Sequence, residues 1–200
     1  MTIDYFKSKI ETAEETKLNA FADEIMATTI PWFFKNEFGE KAVDTYDGFK
    51  TYMAKKFDVP SNNIFIVGSA LLGFSLSPKK NYKAFDDTSD IDIVIVDEEL
   101  YKKYWDKLFD DYSRSILSGD KYTKIAKDVF KRFIDTKDRY YQGKKEYIKL
   151  KKQTDDYAKD LQIKFHFPEE IGYRIYKSFN DYKINLIRNF IDLKYERNAE

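Results

Sequence analysis

Ile64-Phe65-Ile66-Val67-Gly68-Ser69 and Ser89-Asp90-Ile91-Asp92-Ile93-Val94-Ile95-Val96 decide how this chain is read. The first stretch is an apolar run of strand length that closes on a Gly-Ser turn. The second is an apolar strand with two aspartates two residues apart at its start. Residues i and i+2 of a strand share a face. Asp90 and Asp92 therefore project side by side, and Ile91, Ile93 and Ile95 point the other way into a core. Two carboxylates held that close repel each other unless a cation compensates them. Carboxylate oxygens suit Mg²⁺, which also takes substrate phosphates as ligands. Solvent-facing alternation would place further polar residues on the aspartate face. Val94 and Val96 stand there instead, so the strand is buried on both sides beyond its first residues.

The 200 residues suit one domain spanning 1–200, with enough length for a sizeable core. Seventeen Phe and sixteen Tyr predict an aromatic interior. Without cysteine, disulfides and thiolate metal sites are excluded, and His166 alone cannot build a multi-histidine zinc site. No apolar run is long enough to span a membrane, and Met1 to Lys17 lacks the apolar stretch of a signal peptide. A cytoplasmic protein without membrane contact is expected.

Charge is balanced overall and unevenly spread. Residues 1–100 carry 11 basic and 18 acidic side chains, and residues 101–200 carry 24 and 17. The basic excess concentrates in 121–152, with 12 basic against 4 acidic. That segment suits contact with RNA or a triphosphate. It equally suits a solvated helix face, or attraction between two oppositely charged halves.

Helices are predicted over 4–29, from Pro31 through Phe34, and over 41–57. A short helix follows Gly68-Ser69. Residues 73–89 form a long irregular connection of the kind that is often functional. Asp97 caps a helix with the stripe Leu100, Tyr104, Leu108 and Tyr112. Further helices are read at 121–141, where Phe133 and Ile134 continue an apolar face, and at 144–159. Leu161, Ile163, Phe165 and Phe167 alternate as in a strand, a second late strand is placed at 171–176, and a helix closes the chain. The layout is N-terminal helices (1–60), a motif core (61–100), a helical insertion (101–160), then late strands and a C-terminal helix (161–200). The fold class is α+β, a small mixed sheet surrounded by many helices.

Glycine at 68 permits close approach of a ligand, and the amides that follow suit phosphate; Ser69 would cap the short helix or bond a phosphate oxygen. Gly68 to Ser75 has the glycine spacing of a P-loop but places Phe74 where the lysine must be, and no Gly-x-Gly-x-x-Gly occurs. Gly68-Ser69 followed by Ser89-Asp90-Ile91-Asp92 resembles the signature of the DNA polymerase β-type nucleotidyltransferase superfamily, over about residues 64–97. Ile-Val-Gly-Ser-Ala at 66–70 with Gly-Phe-Ser-Leu-Ser-Pro at 73–78, and Ile175-Tyr176-Lys177-Ser178 later, is similar to small bacterial nucleotidyltransferase-like proteins.

The resemblance implies a nucleotidyltransferase-type sheet and Mg²⁺-dependent (or Mn²⁺-dependent) transfer of a nucleoside monophosphate from an NTP, ATP first. It implies metal at Asp90 and Asp92 and nucleotide at Gly68, Ser69 and Ser89. The acceptor, whether RNA, protein or small molecule, stays open. Twenty residues separate Ser69 from Asp90, more than the family's usual loop. A third carboxylate is also expected on a later strand. Asp160, at the head of the strand read at 161–167, is the first candidate, and Glu169 and Glu170 follow. The alternative is a catalytically inactive module on the same fold that binds nucleotide, RNA or a protein partner, as in toxin–antitoxin or defence systems. Lys79, Lys80 and Lys83 could reach a triphosphate or simply face solvent. His166 could serve as a base or be structural. Tyr140, Tyr141, Lys144 and Lys145 suit base stacking with phosphate contact, or an ordinary helix end.

Overall fold

The computed structural model describes residues 1–114, 119–135, 145–168 and 170–196. Four strands form one mixed sheet: β1 (Ile64–Val67), β2 (Ile91–Val96), β3 (Phe133–Asp135) and β4 (Ile171–Tyr176), in the order β1-β2-β4-β3. β2 runs antiparallel to β1 and parallel to β4, and β3 pairs antiparallel with β4 at the edge. The described helices are α1 (Ile3–Thr12), α2 (Glu15–Met26), α3 (Trp32–Phe38), α4 (Ala42–Phe57), α5 (Gly68–Leu72), α6 (Glu98–Ser113), α7 (Gly119–Phe130), α8 (Lys145–Phe165) and α9 (Phe179–Glu196). The class is α+β.

Strand alternation sorts the interior into two layers. Ile64, Ile66, Ile91, Ile93, Ile95, Ile134, Tyr173 and Ile175 face one way, onto α3, α4, α6 and α8. Val67, Val94, Val96 and Tyr176 face the other way, onto α1, α2 and α9. Ring packing dominates both layers. Phe49 sits 5.3 Å from Phe167, 5.7 Å from Phe34 and 5.8 Å from Phe165 by ring centroids. On the opposite layer Phe6 stands 5.3 Å from both Phe21 and Phe74 and 5.7 Å from Phe190.

Several local expectations hold. Pro31 precedes α3, Asp97 caps α6 by accepting from the Leu100 amide at 2.7 Å, and α4 stops where Asp58 turns left-handed. Others are corrected. The helix read over 4–29 is two helices, broken where Ala13 becomes extended. A straight helix of that length would be about 39 Å long. The break lets both shorter helices lie against α9.

The strand read at 161–167 is instead the end of α8 up to Phe165, followed by a left-handed His166 (φ +54°) that leaves the helix. Thr154, Tyr157, Leu161 and Phe165 are its buried stripe at helical spacing, while Ile163 is 79% exposed. Residues 133–135 are strand, not helix, so 101–160 is not wholly helical. Arg132 adopts a left-handed conformation (φ +61°) that ends the turn after α7 and turns the chain onto β4.

Basic groups of the second half meet acids of the first. Lys183 contacts Asp23 at 2.7 Å, Lys177 contacts Glu98 at 3.2 Å, and Arg174 contacts Asp92 at 3.5 Å. The two exposed lysine pairs add little stability, and the last belongs to the site described below.

Buried tyrosines give the fold an alkaline limit. Burial pushes the Tyr46 and Tyr104 hydroxyls up to about 12 and raises Tyr173, Tyr176 and Tyr182 further. Below the ordinary tyrosine value of 10.0 both folded and unfolded chains are protonated, and nothing is lost. Above it the unfolded chain releases protons that the native protein retains, so stability falls. The urea midpoint is expected to hold steady up to about pH 10 and to drop steadily between about pH 10 and 12. A midpoint unchanged over that range would contradict the burial of these rings.

Candidate functional site

β1 ends at Val67, which pairs with Asp92 across the antiparallel ladder. The turn after β1 is thereby carried to the carboxylate. Gly68 takes a left-handed backbone (φ +65°), and a Cβ built there would lie 3.6 Å from Asp92 Oδ2. The chain then enters α5, whose start has no side-chain cap, so Ser69 does not cap it. Val67, Gly68, Ser69, Asp90 and Asp92 line one cleft of about 530 Å³. Its other walls come from the loop at Ser75 to Lys80, from Lys131 and Phe133, from Arg174 and Tyr176, and from α9.

The long loop is a built structure. The Phe85 amide donates to the Gly73 carbonyl and the Ser75 amide to the Lys83 carbonyl, both at 2.8 Å, and Phe74 bridges to Ala84. Gly73 is left-handed (φ +88°) and lies against the Trp32 ring, where an added Cβ would approach to 2.8 Å. This folding brings Lys79 and Lys80 to the cleft, while Lys83 is tied to Asp86 at 2.8 Å and to Thr88 at 2.7 Å. Those two partners hold the exposed Asp86 carboxyl well below the usual carboxylate range.

Asp92, Arg174 and Asp135 share one face of the sheet. Gly172 stands opposite Asp92 in the parallel ladder and Asp135 stands opposite Arg174. With no side chain at Gly172, the guanidinium two residues on reaches diagonally across to Asp92. Arg174 Nη2 lies 3.5 Å from Asp92 Oδ2, and its Nε lies 3.7 Å from Asp135 Oδ2. Burial works against the charge of Arg174, but Asp92 and then Asp135, Tyr176 and Asp90 outweigh it and raise its pKa above the ordinary arginine value. Asp135 is a carboxylate on a later strand at the sheet edge, outside the residues lining the cleft, and sequence reading missed it because 133–135 was read as helix. Its signal was the Phe133-Ile134-Asp135 alternation, too short to outweigh the helical pattern before it.

The other expected residues lie elsewhere. Asp160 is on α8 and is absent from the residues lining the cleft. It accepts a hydrogen bond from the Tyr52 hydroxyl and lies 3.4 Å from Lys56 Nζ. The Tyr52 bond first, and Lys56 with it, hold its carboxyl below the ordinary value. Ser89 points away from Asp90: its hydroxyl bonds the Asp86 backbone amide and carboxylate. Ser89, Glu170 and His166 line a separate cavity of about 700 Å³, walled by Phe33, Phe85 and Phe167. Glu169 and residues 136–144, with Tyr140, Tyr141 and Lys144, lie outside the described residues, and nothing is described of the Lys145 side chain.

Magnesium needs oxygen ligands, and one or two carboxylates plus substrate phosphates suffice. Among the described residues no group of three or more acids or histidines is close enough to hold a metal by itself. The Asp90/Asp92 pair therefore fits a cation that brings phosphates as its remaining ligands, not a self-sufficient metal centre. The lysines and arginine around the same cleft fit those phosphates. Among the described residues no helix is long and apolar enough to cross a membrane. The chain matches no protein-family model, no curated protein and no solved structure.

Gly68 is held by its backbone angle, since a methyl at 3.6 Å from Asp92 meets only ordinary contact. Gly68→Ala is expected to cost about 1–2 kcal/mol through the left-handed conformation, read by urea denaturation. Unchanged stability would mean that the turn does not need a positive φ.

Proposed function

We propose that the cleft binds a nucleoside triphosphate together with a divalent cation and supports transfer of its nucleoside monophosphate to an acceptor. One observation carries this reading: a glycine turn, a pair of same-face aspartates and the basic groups Lys79, Lys80, Lys131 and Arg174 converge on one cleft. The resemblance to the DNA polymerase β-type nucleotidyltransferases, carried by the same Gly68-Ser69 and Asp90-Ile91-Asp92, supplies the reaction type.

In this reading Gly68 leaves room for the phosphates beside Asp92. Lys79 and Lys80 from the loop and Lys131 beyond α7 compensate their charge. Asp90 and Asp92 would hold Mg²⁺, which would supply charge neutralisation on the transferring phosphoryl group. Asp135, on the edge strand, is outside the residues lining the cleft and acts on Asp92 through Arg174, so it is not assigned as a third metal ligand. The Tyr52–Asp160–Lys56 cluster, packed between α4 and α8, is assigned to structure.

A second reading rests on a specific observation as well. Arg174 lies against both Asp92 and Asp135, which suits a module that binds nucleotide without turning it over. Calorimetry separates binding from its absence for both readings. Wild type is expected to bind an ATP analogue with a methylene between the α and β phosphates in a Mg²⁺-dependent way. The Asp90→Ala/Asp92→Ala double variant is expected to lose that binding. Labelled pyrophosphate release from ATP then divides the enzyme from the inactive module. Failure of all four Mg·NTPs to bind wild type would overturn the proposal.

A further inference from the structure

Arg174 is the cation that the paired carboxylates require. Its guanidinium is placed by strand pairing, over Gly172 and between Asp92 on β2 and Asp135 on β3. It is loosely held. A bidentate arginine–carboxylate pair closes to about 2.7–2.9 Å, and elsewhere in this protein Arg132 meets the buried Asp181 at 2.9 Å. The two contacts of Arg174 are longer, 3.5 and 3.7 Å. The side chain is 35% exposed and lines the cleft, so a ligand there can touch it. The Phe133 ring, 6.0 Å from the guanidinium carbon, gives it an alternative resting surface. Guanidinium matches phosphate as well as carboxylate.

Resting on the nucleotide reading of the cleft, we infer that Arg174 is a resident counter-cation that a triphosphate draws off Asp92 and Asp135, so that metal alone binds weakly and metal with nucleotide binds cooperatively. While the guanidinium lies on Asp92, a divalent cation must compete with it for that carboxylate. When phosphate oxygens arrive, the guanidinium exchanges one oxyanion partner for another. Asp92 is then released to the cation that accompanies the nucleotide. The carboxylates are thereby aligned before substrate arrives, yet closed to adventitious metal. No covalent step is involved; charge is redistributed among Arg174, two carboxylates and the ligand.

The test is a crossing of affinities. Free Mn²⁺ is followed by electron paramagnetic resonance while wild type and Arg174→Met are titrated, first without nucleotide and then with the α,β-methylene ATP analogue. Without nucleotide, Arg174→Met is expected to bind Mn²⁺ at least ~10-fold more tightly than wild type, because a competing positive charge has been removed. Adding Asp92→Asn is expected to abolish that gain. With the analogue the order reverses: Arg174→Met binds the Mn·analogue more weakly than wild type, having lost a phosphate contact.

Arg174→Gln keeps donors for Asp92 and is expected to give the same crossing, which covers failure of the methionine variant to fold. Mn²⁺ affinity equal in wild type and both variants, or weakened in both with and without analogue, would overturn the inference while leaving Mg·analogue binding by wild type intact. Absence of that wild-type binding would instead overturn the reading of the cleft, and with it the exchange.

Discussion

A carboxylate on the inner strand of a sheet has to be compensated, and the pairing of β2 with β4 does this for Asp92. The parallel register sets Gly172 beside Asp92 and carries Arg174 across the gap. The antiparallel register on the other side sets Val67 beside the same residue and so delivers the Gly68 turn. Asp135 joins the face because β3 pairs with the outer edge of β4, opposite Arg174. The aromatic layers on both faces serve this arrangement. They hold the sheet rigid so that its polar end stands open beside α9. Displacing any one ladder by a residue would turn the carboxylates into the apolar layer, where an unpaired charge is costly.

The cleft's electrostatics are neither acidic nor basic throughout. Asp90 and Asp92 stand on its sheet side and Asp192 on α9, while Lys79, Lys80 and Lys131 approach from the loop and from beyond α7. Such a division suits a ligand that itself joins positive and negative parts, as a metal-bound polyphosphate does. The larger cavity behind Ser89 differs in kind. Among the described residues it is lined by rings and the carboxylates of Glu37, Asp86, Asp87 and Glu170, with no lysine or arginine. The Ser89–Asp90 chain segment separates the two spaces, which is why neighbouring residues of one motif end up with unrelated surroundings.

Much of this organisation was legible in the chain. β1 and β2 announced themselves because strands buried on both faces read as near-continuous apolar runs; β4, interrupted by Gly172 and Arg174, gave a weaker signal. The Gly-Ser turn and the Asp pair were legible because glycine and charge are conspicuous at the ends of such runs. The edge strand was not legible. Tyr122, Ile125, Val129, Phe133 and Ile134 follow a helical period with no glycine or proline to stop it, and only the left-handed turn at Arg132 and the waiting edge of β4 make 133–135 a strand. The reverse error arose at 161–167. Leu161 and Phe165 satisfy both a period of two and a helical i, i+4 spacing, and Ile163, apolar but exposed, completed a false alternation. Asp160 followed that error, and Asp135 was hidden by the first one. Arg174 was invisible for a different reason: its partners are 82 and 39 positions away, and only the register brings them together.

The central claim is that one cleft assembles a metal–triphosphate site around Asp92 and Arg174. A crystal structure with Mn²⁺ and the α,β-methylene ATP analogue, with anomalous scattering to locate the metal, tests it most directly. The account predicts Mn²⁺ on Asp90 and Asp92, phosphates beside Gly68, and the Arg174 guanidinium turned from Asp92 to a phosphate oxygen. Nucleotide bound elsewhere, or Arg174 still on Asp92 with no metal beside the aspartates, would contradict it.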